Sequence, residues 1–244
     1  MLTSSDKLHK PTAFIILGLI LSFISGCWSN QWWSAHRAEG YYVDQVRELL
    51  RESDRKQLKR PFPEAVTSYR RNYFVDDFAR LHHVLLRADE ERCNVEETIR
   101  KAVIDPLSPV PPAIQGITAD NLIKSFDQAQ GYGLYDGLTN RVDLFNGNRP
   151  TVRQGAYDGR EGEVDHILPS SVFPQLAQLP ANLQWLSEPE NISKGDGVTD
   201  EGRELLRYLL DAGTISRETV EGNLKAVAVK NPKTADEWRM VLSR

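Results

Sequence analysis

Two stretches of this chain carry side chains suited to metal-assisted acid–base chemistry. The first is Glu163-Val-Asp-His-Ile-Leu-Pro169; the second is Asn182-Leu-Gln-Trp-Leu-Ser187 running into Asn191-Ile-Ser-Lys-Gly-Asp196. Asp165 and the amide oxygen of Asn191 are hard oxygen donors, the kind a divalent cation takes while leaving positions for water and substrate. His166 neighbours Asp165 on an expected strand, so its side chain points to the opposite face. There it can take a proton from water instead of binding the ion. An ordinary imidazole pKa of about 6.5 suits a general base at neutral pH.

These residues need elements to bring them together. A short apolar strand is expected to end at Asp165-His166, followed by a loop and a second strand carrying Gln184 and Trp185, with Trp185 in the core. Pro189-Glu190-Asn191 reads as the first turn of a helix, whose free N–H groups and positive dipole end favour a nearby anion. That order gathers Asp165, His166, Asn182 and Asn191. Lys194, three residues on, is placed either to reach a phosphate or to lie on a solvated helix face.

At these positions the sequence resembles the HNH (ββα-metal, His-Me finger) nucleases, whose pattern is Asp-His-Ile-x-Pro, Asn-Leu-Gln, then Asn-x-x-Lys-Gly. The resemblance covers about Val164 to Asp196. It implies an α+β fold, mostly helical with a small embedded ββα-metal finger, that hydrolyses phosphodiester bonds, most simply in DNA. It further implies that Asp165 and Asn191 are metal ligands, that His166 is the base and that Asn182 holds the histidine loop. The last ligand is Asn191 where many members have histidine, which favours Mg²⁺ or Mn²⁺ over Zn²⁺. The only cysteines are Cys27 and Cys93, so a four-cysteine zinc knuckle beside the site is excluded. Cys93 reads as an ordinary part-buried thiol.

The N-terminus is the second informative stretch. Lys7 and Lys10 precede an apolar run from Ala13 to Ile24, then Ser25-Gly26-Cys27. The run is short for a membrane span and suits an export signal. Small residues before a cysteine resemble the lipobox of bacterial lipoproteins, which makes Cys27 the lipidation site. The alternative is an uncleaved anchor, with Trp28, Trp32 and Trp33 at the interface. Either way the body is expected outside the cytoplasm, bound to a bacterial membrane.

The 244 residues are 40% apolar and 26% charged, an ordinary globular balance. A net charge of −4 gives no global attraction to nucleic acid, so phosphate contacts need local patches. One candidate patch lies between Arg55 and Arg71, where six basic residues face the single Glu64. Arg60 and Arg71 are the expected phosphate contacts there.

The expected organisation follows. Residues 1–26 form the signal peptide or anchor and 27–45 a tether. Residues 46–130 form a helical domain, 131–210 the nuclease core and 211–244 supporting helices. Helices are expected from Val46, from about Glu64 to Ala88, from Val95 to Ile104, and from Thr118 or Asp120 to about Gln130. His82 and His83 are adjacent in a helix, about 100° apart, so they cannot share an ion and are expected to pack or lie at the surface. The glycine-rich stretch from Gly131 suggests loops, with a hairpin around Val142–Phe145 turning at Asn146-Gly147. Later helices are expected after Thr199 or Asp200, after Ser216, and behind a Thr234-x-x-Glu237 capping box. The competing function is a lipoprotein binding module that keeps a degenerate finger as scaffold and holds a polyanion or partner through its basic stretch.

Overall fold

Apolar residues at three- and four-residue spacing turn most of the described residues into helices packed around a short two-stranded sheet. The computed structural model describes residues 38–51 and 73–243. Expectations placed on Cys27, Arg60, Arg71 and the export segment lie outside those residues. In order, α1 covers residues 38–51, α2 Tyr73–Glu90, α3 Val95–Val103, α4 Gln115–Gly131 and α5 Gly137–Asn146. Then come β1 Gly162–His166, β2 Leu183–Ser187, α6 Glu188–Lys194, α7 Asp200–Asp211, α8 Arg217–Ala228 and α9 Pro232–Leu242. The fold is α+β and mostly helical. Among the described residues no helix is long and apolar enough to cross a membrane.

Side-chain caps set several helix starts by satisfying first-turn N–H groups. Asn94 accepts from Glu97 N at 3.0 Å, Thr199 from Gly202 N at 3.0 Å, and Ser216 from Thr219 N at 3.2 Å. One hydrophobic cluster runs from Val43 in α1 to Val241 in α9, with Trp185, Trp238, Phe78 and Phe173 among its largest buried members. α4 packs on β2, α5 on α2, and α8 against α9.

Four local expectations need correction. The tether expected over 27–45 is already helical from residue 38, where Tyr42 and Val43 pack inward while Tyr41 stays exposed. α4 begins at Gln115, before Thr118 or Asp120; Thr118 lies inside it and its hydroxyl donates back to Ile114 O at 2.8 Å. No hairpin forms at Val142–Phe145, which belongs to α5. Gly147 there takes a left-handed φ of 75° as the helix C-cap, with its N–H bonded to Leu144 O at 3.1 Å. The last helix is capped by Asn231, accepting from Thr234 N at 3.3 Å, so Thr234 sits inside it.

His82 packs, as expected. It is fully buried, with Nδ1 2.7 Å from the Tyr135 hydroxyl and its ring edge-on to Trp185 at 5.6 Å. Burial pushes its pKa down to about 3, so the ring is neutral at pH 7. The His83 ring lies against Phe145 at 5.3 Å.

Candidate functional site

β1 and β2 pair antiparallel with Glu163 opposite Leu186, Asp165 opposite Gln184 and His166 opposite Leu183. Side chains alternate across a strand, so Glu163 and Asp165 share one face with Gln184 and Leu186. Val164 and His166 share the other face with Trp185 and Leu183, and that face meets the core. α6 follows β2 directly and lies against both strands. Its start is fixed by a capping box. Glu190 N donates to Ser187 Oγ, and Glu190 Oε2 accepts from Ser187 N at 3.1 Å and from Tyr132 Oη at 2.6 Å. Burial acts to raise the Glu190 pKa, but hydrogen bonds from Ser187 and Tyr132 outweigh it and hold the carboxyl below its usual range. With its first turn capped internally, this seven-residue helix needs no anion at its N-terminus.

The carboxylate face carries two polar pairs in register with α6. Asn191 Nδ2 donates to Glu163 Oε2 at 2.5 Å, and Lys194 Nζ lies 2.9 Å from Asp165 Oδ2. Gln184 Nε2 also donates to Asp165 Oδ2, at 3.2 Å. Lys194 additionally donates to His166 O at 2.7 Å, and its side chain is only 8% exposed. The solvated reading of Lys194 is therefore corrected: its ammonium is nearly buried and engaged by Asp165 and the strand carbonyl.

His166 ends β1 at 9% exposure. Its Nε2 lies 2.8 Å from Ala177 O. A carbonyl only accepts, so that nitrogen carries the proton and the neutral ring keeps its lone pair on Nδ1. Burial lowers the His166 pKa; the Ala177 hydrogen bond and the Asp165 charge oppose the shift, and the Lys194 charge reinforces it. The ring is thus neutral at pH 7 with one basic nitrogen.

Asn182 is fully buried and fastens the loop that follows His166. Its Oδ1 accepts from Leu168 N at 2.6 Å, and its Nδ2 donates to Leu168 O and to Leu176 O, both at 3.0 Å. Its own carbonyl accepts from Ile167 N at 2.8 Å. Asn121 on α4 donates to the neighbouring Ala181 O at 2.6 Å. Further along the loop, Ser171 donates to Asp196 Oδ1 at 2.6 Å, and Gln175 exchanges amide hydrogen bonds with Asn223 on α8. The Ala177 carbonyl that fixes the imidazole tautomer belongs to this tied-down loop.

The fold therefore sets Asp165, His166, Asn182 and Asn191 on one strand–loop–strand–helix unit. No direct hydrogen bond joins Asp165 to Asn191, or His166 to either of them. Glu163, absent from the expected site, is the partner of Asn191; the alternation Glu163-x-Asp165 was the signal that it shares the Asp165 face. Among the described residues no three His, Cys, Asp or Glu side chains converge as a ready-made metal cage. A hard cation that keeps several waters does not need one. Asp165 Oδ1 and Asn191 Oδ1 have no hydrogen-bond partner among the described residues and are the donor type such an ion prefers, so the residues fit Mg²⁺ or Mn²⁺. Comparison with protein-family models, with curated proteins and with solved structures returns no match.

Proposed function

We propose that residues 162–194 are the catalytic centre of an HNH-type endonuclease that hydrolyses DNA phosphodiester bonds with one Mg²⁺ or Mn²⁺. The observation that carries this reading is His166 at the end of β1. Its Nε2 proton is committed to Ala177 O, its Nδ1 is left basic, and Asp165 and Asn191 belong to the same small unit. When bound, the cation neutralises charge on the phosphate and assists the leaving 3′ oxygen. Asp165 Oδ1 and Asn191 Oδ1 would hold it. His166 Nδ1 accepts the proton of the attacking water, and the Ala177 carbonyl keeps the opposite nitrogen protonated so that the ring does not change tautomer. Asn182 keeps that carbonyl in place. Binding rests on phosphate contacts, so cleavage is non-specific or led by the structure of the DNA. The lipobox-like Ser25-Gly26-Cys27 and the apolar run before it support a place on the outer side of a bacterial membrane.

One feature favours a second reading, a lipoprotein binding module on a degenerate finger. Lys194 already neutralises Asp165, and an ion must compete with it for that carboxylate. Incubating the purified full-length chain with supercoiled plasmid separates the two. The nuclease nicks DNA in Mg²⁺ or Mn²⁺ and stops when the ion is chelated. Binding without nicking in Mg²⁺, Mn²⁺ and Zn²⁺ alike leaves only the module.

A further inference from the structure

Glu163 is part-buried, and both its carboxylate oxygens are engaged. Oε1 pairs with the Arg149 guanidinium, and Oε2 accepts from Asn191 Nδ2 at 2.5 Å. An ionised carboxylate has no proton to donate, so the Asn191 amide meets it with nitrogen and not with oxygen. That contact decides which way the amide faces. With Nδ2 held by Glu163, Oδ1 is the atom of Asn191 left to bind a cation.

We propose that Glu163 is a positioning residue for the metal: it fixes the Asn191 amide so that Oδ1, not Nδ2, is presented as ligand. This rests on the nuclease reading of Asn191. Arg149 holds the other carboxylate oxygen and so fixes the rotamer through which Glu163 acts. Carboxylates that orient metal ligands in this way change metal affinity by about 10- to 100-fold when removed.

The test uses Mn²⁺ alone as probe, titrated into the full-length chain and followed by the electron paramagnetic resonance of the free ion. Glu163→Gln keeps the side chain's volume but brings its own N–H₂ group, which can capture Asn191 Oδ1. It is expected to weaken Mn²⁺ binding about tenfold or more. Asn191→Asp removes the need for orientation, because both its oxygens are ligands, and sets a second carboxylate against Glu163. In that background Glu163→Gln is expected to leave Mn²⁺ affinity unchanged or to tighten it. A purely structural role for Glu163 gives the same loss in both backgrounds.

Unaltered Mn²⁺ binding by Glu163→Gln overturns the proposal, as does an equal loss in both backgrounds. If Glu163→Gln does not fold, Glu163→Asp, which keeps the charge but shortens the reach, carries the same expectation of weakened binding. Failure of the underlying reading looks different. There the unaltered chain takes up no Mn²⁺, or Asn191→Ala binds it as the unaltered chain does, and the role of Glu163 falls with it.

Discussion

Replacing His166 with alanine is expected to lower DNA cleavage by about 10²- to 10⁴-fold, the range that a positioned general base contributes. The loss is expected in kcat, with DNA affinity retained, because the proposed role of His166 is to move a proton and not to hold phosphate. The fold is expected to survive the change. One part-buried ring and one hydrogen bond to Ala177 O are lost, while the Asn182 contacts that fasten the loop remain. Far-UV circular dichroism of the variant should match that of the unaltered chain. The pH dependence carries the same signature. The base is active only when Nδ1 is unprotonated, and burial lowers the pKa of this ring from the ordinary 6.5. The acid limb of the rate is therefore expected to be centred below pH 6.5. An acid limb centred above pH 7 would exclude His166 as that base.

Asn182 should give the opposite profile. Asn182→Ala removes three side-chain hydrogen bonds and leaves Leu168 N, Leu168 O and Leu176 O buried without that partner. Each buried polar group left unsatisfied costs about 1–3 kcal/mol, so the variant is expected to lose about 3–5 kcal/mol of stability. For a chain of this size that lowers Tm by about 10 °C. Asn182→Asp should be no better. Its carboxylate can accept from Leu168 N but is set against two carbonyl oxygens. Cleavage falls as well, because the Ala177 carbonyl that orients His166 belongs to the loop Asn182 ties down. Thermal unfolding followed by circular dichroism checks this. A Tm within a degree or two of the unaltered chain would mean that Asn182 does not fasten the loop.

The contrast between these two residues shows what was legible in the sequence. The strand–loop–strand–helix order could be read from Val164, Leu183 and Trp185 flanked by turn residues. The anchoring role of Asn182 came only from the resemblance, and its contacts have the character that role requires. The pairs Glu163–Asn191 and Asp165–Lys194 were not legible, because they depend on how α6 is rotated and shifted over β1, which is a tertiary property. Lys194 shows the cost of that gap. A lysine in the last turn of a short helix reads as solvated or phosphate-directed, yet here it lies almost buried against Asp165.

Errors elsewhere have local causes. Asn146-Gly147 signals a hairpin turn and a helix C-cap equally well, since both need a residue at positive φ; the α5 carbonyls decided the matter. Thr234-x-x-Glu237 has the spacing of a capping box, but Asn231-Pro232 supplies a better start three residues earlier, with proline at the first helical position. The beginning of α1 was not legible because Tyr41 is exposed while the adjacent Tyr42 and Val43 are buried in separate clusters, which leaves no clear apolar period.

The most direct measurement is chemical rescue of His166→Ala. Free imidazole added to this variant in Mg²⁺ can enter the space the ring vacates and accept the proton of the attacking water. Cleavage of supercoiled plasmid is then expected to rise with imidazole concentration, with no such rise for the unaltered chain. A variant that cleaves as fast as the unaltered chain without imidazole, or one that stays silent at every imidazole concentration while the unaltered chain cleaves, would contradict the assignment of proton transfer to this residue.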